Sequence, residues 1–165
     1  MEDTAVRIFW AADSTVQTND ITTYPQTGIG QVFSLYTREG VVLSNHAKNG
    51  RSTKSFMDEG RLAVIEGQMY INAARKHHAH PVLIPPLERR CFVDARHLGM
   101  GAHSDYVAAM KQTAEKNRVP LVDLYSMSRS ALKSAGESAS LSWYKYFDAG
   151  VYENYPKGKT DTTNL

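Results

Sequence analysis

The chain has 165 residues, a length that suits one domain whose core is large enough to need neither disulfides nor a metal. Its 19 Lys and Arg face 17 Asp and Glu, a net charge of +2 with no basic block, which argues against a nucleic-acid surface built on clustered cations. The lone Cys91 rules out an internal disulfide and reads as a small apolar residue, and no apolar run reaches the roughly 18–20 residues that cross a bilayer.

At the start, MEDTAV lacks a basic stretch leading into an apolar one, so a cytoplasmic location is the default expectation. Secretion stays open, because a signal could have been removed. Residues 6–12 (VRIFWAA) predict a short buried strand, and 13–27 a polar, exposed loop. Over 28–36, Ile29, Val32, Phe33 and Tyr36 recur at helical spacing. Val41, Val42 and Leu43 predict a second strand, followed by a polar turn over 44–55 whose strongest signal is Asn49-Gly50.

Two helical stretches follow, 58–68 and 70–78, then a third strand at 81–84 stopped by Pro85-Pro86. An irregular stretch leads to His103. Ser104 or Asp105 can cap a helix with Val107, Met110 and Ala114 on one face. Residues 119–124 predict a fourth strand, 126–134 a further helix, and the tail from Leu141 is aromatic and then polar. Strands alternating with helices imply an α/β sandwich, a mainly parallel sheet covered on both faces. The consecutive helical stretches at 58–78 break the alternation. Whether they form one bent helix or a helical hairpin, the sheet is left one strand short. No repeat or linker divides the chain, so 1–165 is expected to be a single domain.

In open α/β sheets, functional groups gather beyond the carboxyl ends of the strands. Ser14 lies there after strand one, and the Asn49-Gly50 turn after strand two. A nucleophilic serine needs a base for its proton and N–H donors for the oxyanion, and a glycine in a tight turn can offer its N–H unobstructed. Taken alone, Asp13-Ser14-Thr15 is an ordinary turn or helix cap.

The combination carries more. Ala12-Asp13-Ser14-Thr15 resembles the first block, Gly-Asp-Ser-Thr, of the SGNH (GDSL-type) hydrolases, with Ala12 in place of glycine. TGIGQVF (27–33) is similar to the helix that follows it. NHAKNGRSTKSFMDEGRL (45–62) resembles the second block, in which a glycine before Arg-Ser donates to the oxyanion; that glycine is Gly50 here. AARKHHAHPVLIPPLERR and VPLVDLYSMS resemble later helix–strand units, and YENYPKGKTDTTN the approach to the last block. Within the SGNH hydrolases the resemblance is to the rhamnogalacturonan acetylesterase-like carbohydrate esterases, and it covers nearly the whole chain.

The resemblance implies a three-layer α/β/α sandwich of flavodoxin-like type, with Ser14 as nucleophile and the N–H groups of Ser14 and Gly50 as the oxyanion hole. It implies hydrolysis of an acetyl ester on an acetylated oligo- or polysaccharide of the plant cell wall, through an acyl-enzyme, with no metal or organic cofactor. It leaves oligomeric state open and implies no nucleic-acid or membrane partner.

Two parts of the family pattern are not found. The third block, a strand ending in Gly-His-Asn-Asp, should fall near Gln68–Tyr70, where the strand count is already one short. The last block should read Asp-x-x-His before a C-terminal helix. The chain instead has Asp161-Thr162-Thr163-Asn164 and then Leu165. Asp161 is aligned with the family's catalytic aspartate, but Asn164 stands in the histidine position, and a neutral amide cannot act as a general base near pH 7.

Other histidines are candidates for the role. His77 and His80 would lie i, i+3 if the helix persisted, a pair of metal ligands or, more plainly, helix-end imidazoles complementing the dipole. His46 lies in the Gly50 turn, and His97 and His103 in an irregular loop. Trp143, Tyr144, Tyr146 and Phe147 form either a sugar platform or packing. Arg51 and Arg61 either hold an acidic sugar's carboxylate or make ordinary ion pairs. Besides the esterase, two readings stand: a vestigial SGNH domain that binds carbohydrate, and an SGNH esterase for lipids or acyl thioesters.

Overall fold

The computed structural model describes residues 6–47, 62–101, 103–144 and 146–160. The chain divides into two compact units, one drawing its described residues from 6–47 and 147–159, the other from 62–146 and Thr160.

In the first unit, β1 (Val6–Trp10) pairs in parallel with β2 (Val41–Asn45), Val6 opposite Val41 and Trp10 opposite Asn45. Both are rich in the β-branched and aromatic residues that suit a pleated surface. A parallel pair needs a long crossover, and residues 11–40 supply it. The helical spacing over 28–36 resolves into one α-turn, α1 (Ile29–Val32), running into a 3₁₀ helix at Phe33–Tyr36. Glycines at 28 and 30 weaken helix formation here. Trp10 meets Phe33 edge to face at 5.2 Å, which fixes the crossover against β1. The strand expected to be buried is only partly so: Phe9, on the opposite face from Trp10, is 64% exposed.

The second unit carries three α-helices among its described residues. α2 (Leu62–Lys76) runs without a break through 68–70, so the described part of the two helical stretches is one helix. It ends before the histidines, with His78 in the left-handed region at φ 56. α3 (Ser104–Asn117) begins at Ser104 and buries Val107 and Ala114 as the spacing predicts, with Met110 half-buried. Arg75 of α2 donates to the Asn117 carbonyl at the end of α3 at 2.6 Å. α4 (Leu124–Ala139) is longer than expected at both ends, capped by Asp123 and kinked at Gly136, where φ is 77.

The strands expected at 81–84 and 119–124 shrink to one parallel bridge, Leu83 opposite Leu121. Only two ladder bonds hold it: Leu83 N–H to the Pro120 carbonyl and Val122 N–H to the Leu83 carbonyl, both 3.0 Å. Pro81, Pro85, Pro86 and Pro120 have no N–H to extend it. The mixed α/β class with parallel pairing therefore stands, with shorter strands than the sequence suggested. Finally, β3 (Tyr146–Phe147) and β4 (Lys159–Thr160) form a small two-stranded sheet.

The irregular stretch after Pro86 is organised by a buried carboxylate. Glu88 is 1% exposed and pairs with the Arg129 guanidinium, which also donates to the Gly99 carbonyl at 3.0 Å. Its backbone is held as well: its N–H donates to Ser128 Oγ at 2.9 Å and its carbonyl accepts from Tyr144 at 3.2 Å. Burial, and then the nearby Glu88 charge, push the Tyr144 phenol above its usual range. Cys91, read as a small apolar residue, is exposed.

Candidate active site

Ser14 sits in a turn that its neighbours build. Asp13 Oδ1 accepts from the Thr15 N–H at 2.9 Å and the Thr15 hydroxyl at 2.8 Å. The Asp13 carbonyl accepts from the N–H groups of Val16 and Gln17, both at 3.2 Å. This is a short polar side chain capping the turn that follows it. Ser14 is half-buried, and neither its amide nor its hydroxyl is hydrogen-bonded among the described residues. No described residue occupies either group.

The turn rests on α1. Ile29 N–H donates to the Thr15 carbonyl at 2.9 Å and Gly30 N–H to the Val16 carbonyl at 3.1 Å. Val16 itself is 6% exposed and serves as the anchor. The approach is too close for a side chain on α1: a Cβ on Gly28 would collide with the Gln17 carbonyl, and one on Gly30 would lie 2.5 Å from the Val16 carbonyl oxygen. The two glycines are thus required by contact.

Asn45 links this turn to the end of β2. Its Nδ2 donates to the Val16 carbonyl at 2.7 Å and to Thr18 Oγ1 at 3.1 Å, while its Oδ1 accepts from the Ala47 N–H at 3.1 Å. Sequence reasoning gave Asn45 no role of its own. The signal available was a polar residue closing an apolar strand opposite the serine loop. Because β1 and β2 are parallel and in register from Val6–Val41 to Trp10–Asn45, both exits leave the same end. His46 N–H extends the ladder to the Trp10 carbonyl at 2.9 Å.

The segment leading towards Asp161 returns to the loop after Ser14. Tyr155 donates its hydroxyl to the Thr23 carbonyl at 3.2 Å, and Asn154 Nδ2 donates to the carbonyls of Ile21 and Tyr24, both at 3.3 Å. Tyr152 lies edge-on to Tyr24 at 5.6 Å and to Phe147 at 4.8 Å. Gly50, Asp161 and Asn164 lie outside the described residues, as do Arg51 and Arg61.

The remaining candidates fall into place singly. His46 stacks its exposed ring on Phe9 at 6.1 Å. His77 and His80 do not share a helical face, because α2 ends at Lys76. His97 holds Asp94 at 2.8 Å on an exposed turn, where the Arg96 N–H, followed by His97, keeps the Asp94 carboxyl below its usual range. His103 precedes α3. Among the described residues no group of three or more His, Cys, Asp or Glu is placed to hold a metal. The aromatic cluster is divided: Phe147 packs with Tyr152 and Tyr155, Tyr144 is tied to Glu88, and Trp143 is 53% exposed.

No protein-family model matches the chain. It is 31% identical to the rhamnogalacturonan acetylesterase RhgT of Bacillus subtilis (strain 168), over 97% of this chain and 82% of that protein. It is 33% identical to the probable rhamnogalacturonan acetylesterase YesY of the same organism, over 87% of this chain and 80% of that one. The first alignment runs over 194 positions against the chain's 165 residues, so within the matched span RhgT carries residues that this chain does not. The crystal structure of the Bacillus subtilis protein YXIM shares the fold at a TM-score of 0.65 and 19% identity, over 87% of this chain and 49% of that chain, about half its length. With the Ser14 turn, a second strand exit tied to it, and two relatives at 31% and 33% identity matched over four-fifths of their own length, the chain belongs to the SGNH-type, rhamnogalacturonan acetylesterase-like hydrolases.

Proposed function

We propose that the protein is a carbohydrate acetylesterase that removes O-acetyl groups from rhamnogalacturonan or a related acetylated polysaccharide by way of an acetyl-serine. The relatives' names supply the substrate class. The observation that carries the mechanism is the tie between the Ser14 turn and the end of β2 through Asn45, which supports a common rim for Ser14 and the Gly50 turn five residues on.

In this scheme the Ser14 Oγ bonds to the acetyl carbon as its proton passes to a water molecule, because Asn164 cannot take it. The carbonyl oxygen becomes an oxyanion held by the N–H groups of Ser14 and Gly50. Collapse breaks the bond to the sugar oxygen, which leaves with a proton as a free hydroxyl. Water then attacks the acetyl-serine, releasing acetate and restoring the hydroxyl. Asp161 belongs to the base unit, and Asn164 is its weak member: where an imidazole would shuttle the proton, a neutral amide cannot.

The test is acetate release from acetylated rhamnogalacturonan by the wild type and by Ser14→Ala. Release by the wild type, falling to the uncatalysed rate in Ser14→Ala, is expected. Equal release by both proteins would remove Ser14 from the mechanism, and release by neither would overturn the acetylesterase reading.

A further inference from the structure

Among the described residues β1 has one neighbour in its sheet, β2, and its other edge is open. Val6 N–H donates to the Gly40 carbonyl at 3.1 Å, and the Trp10 carbonyl accepts from the His46 N–H at 2.9 Å. Residues 6, 8 and 10 therefore turn their backbone groups towards β2. Because successive residues of a strand alternate, the N–H and C=O groups of Arg7 and Phe9 point out of the open edge. The sequence left the sheet one strand short, and α2 runs through 68–70 without supplying one.

The edge lacks the devices that usually blunt one. Its register with β2 is unbroken from Val6 to Trp10, which leaves no bulge, and VRIFW contains no proline, lysine or acid. The side chains on the same face of the sheet as Phe9 are open to solvent. Phe9 is 64% exposed, and Val42, beside Arg7 in β2, is 45% exposed. His46 stacks on one side of the Phe9 ring. The Arg7 side chain is exposed and makes no hydrogen bond or ion pair among the described residues.

We propose that this edge pairs with the same edge of a second copy of the chain, the two β1 strands running antiparallel about a two-fold axis at Ile8. In that register Arg7 of each copy lies opposite Phe9 of the other, and each such pair exchanges both of its outward backbone hydrogen bonds. Residues directly opposite share a face, so each guanidinium comes over the open side of the other copy's Phe9 ring, a cation–π contact. This complementarity selects the occupant. Positions 7 and 9 carry matching groups, so the strand read backwards is its own partner, whereas an unrelated strand would have to bring both groups at that spacing. A two-stranded sheet is marginal by itself, and joining two of them edge to edge gives a four-stranded sheet of ordinary size. The pairing makes no use of Ser14, which lies beyond the end of the strand.

The test is analytical ultracentrifugation of the full chain over a range of concentrations. A reversible monomer–dimer equilibrium with a Kd on the order of 10–100 µM is expected, since one edge buries less than the roughly 1,200 Å² of a stable complex. Phe9→Lys sets an ammonium opposite the other copy's Arg7 and should weaken the dimer about tenfold or more. Arg7→Glu alone, which keeps the Phe9–His46 stack, should weaken it too. The double variant Arg7→Glu/Phe9→Lys puts opposite charges in both pairs and should recover the dimer. Both positions are exposed, so all three variants should keep the wild-type circular dichroism. A chain that stays monomeric at every concentration would overturn the proposal and leave the edge to another occupant. A dimer indifferent to Phe9→Lys and Arg7→Glu would place the interface elsewhere, and a double variant that fails to recover the dimer would rule out the antiparallel register.

Discussion

A serine hydroxyl can attack only where no structural hydrogen bond ties it up, and it still needs a base to take its proton. Asp13 arranges this by capping the turn with its own carboxylate and carbonyl, so that the bonds fall on Thr15, Val16 and Gln17 and bypass Ser14. The weakness at this scale is Asn164, whose amide cannot take the proton that Ser14 must lose. Removing the base from such a unit costs several orders of magnitude in rate, while oxyanion stabilisation and binding leave some activity over water. Asn164→His is therefore expected to raise kcat for a chromogenic acetate by about a hundredfold or more. It should also introduce a dependence on pH with a midpoint in the imidazole range, about 6.5. A variant with unchanged kcat and an unchanged pH profile would mean that some other group already serves as base.

At the scale of elements, the serine turn is positioned by contacts from two directions, α1 beneath and Asn45 from β2. Asn45→Ala removes the donors to the Val16 carbonyl and Thr18 while leaving the Gly30 bond to Val16. The hydroxyl then loses its fixed relation to the second strand exit. The expected result is a kcat lower by roughly tenfold to a hundredfold with little change in KM, as small misplacements produce. A lowered melting temperature with kcat intact would make Asn45 a purely structural residue.

Helix α4 offers a prediction in pH. Asp123 caps it through the Ser126 N–H at 3.1 Å and pairs with Lys111 of α3 at 2.6 Å. Lys111 first, and then Ser126, hold its carboxyl below the ordinary 3.8. A folded value below the unfolded one means that this stabilisation is fully present above pH 3.8 and is lost as pH falls through the lowered value. Asp123→Ala should cost about 1 kcal/mol at neutral pH, or roughly 2–4 °C in melting temperature. The difference from wild type should close as the pH is taken below 3.8. A gap that stays constant into acid would show that the carboxylate charge contributes nothing.

Over the whole molecule, legibility followed the source of each constraint. β1, β2 and α3 were plain in the sequence because local patterning fixes them: apolar runs ended by polar turns, and Val107, Met110 and Ala114 on one face. The strands at 81–84 and 119–124 were overstated because an apolar run reports burial, whereas pairing depends on N–H groups that Pro81, Pro85, Pro86 and Pro120 lack. The unbroken α2 was one of two readings left open, since periodicity cannot separate a continuous helix from a hairpin when no Gly-Pro signal intervenes. The Ser14 position was legible through its motif. Asn45, Gly30 and the Tyr155 and Asn154 contacts were not, because each depends on which distant backbone carbonyl lies within reach.

The central claim is that Ser14 carries the acetyl group between ester and water. It is tested most directly by quenching the protein in acid during turnover of an acetate ester and locating the added acetyl by peptide mass spectrometry. The acetyl should sit on the peptide containing Ser14 and vanish, together with turnover, in Ser14→Ala. An acetyl found on another side chain, or undiminished turnover in the variant, would contradict it.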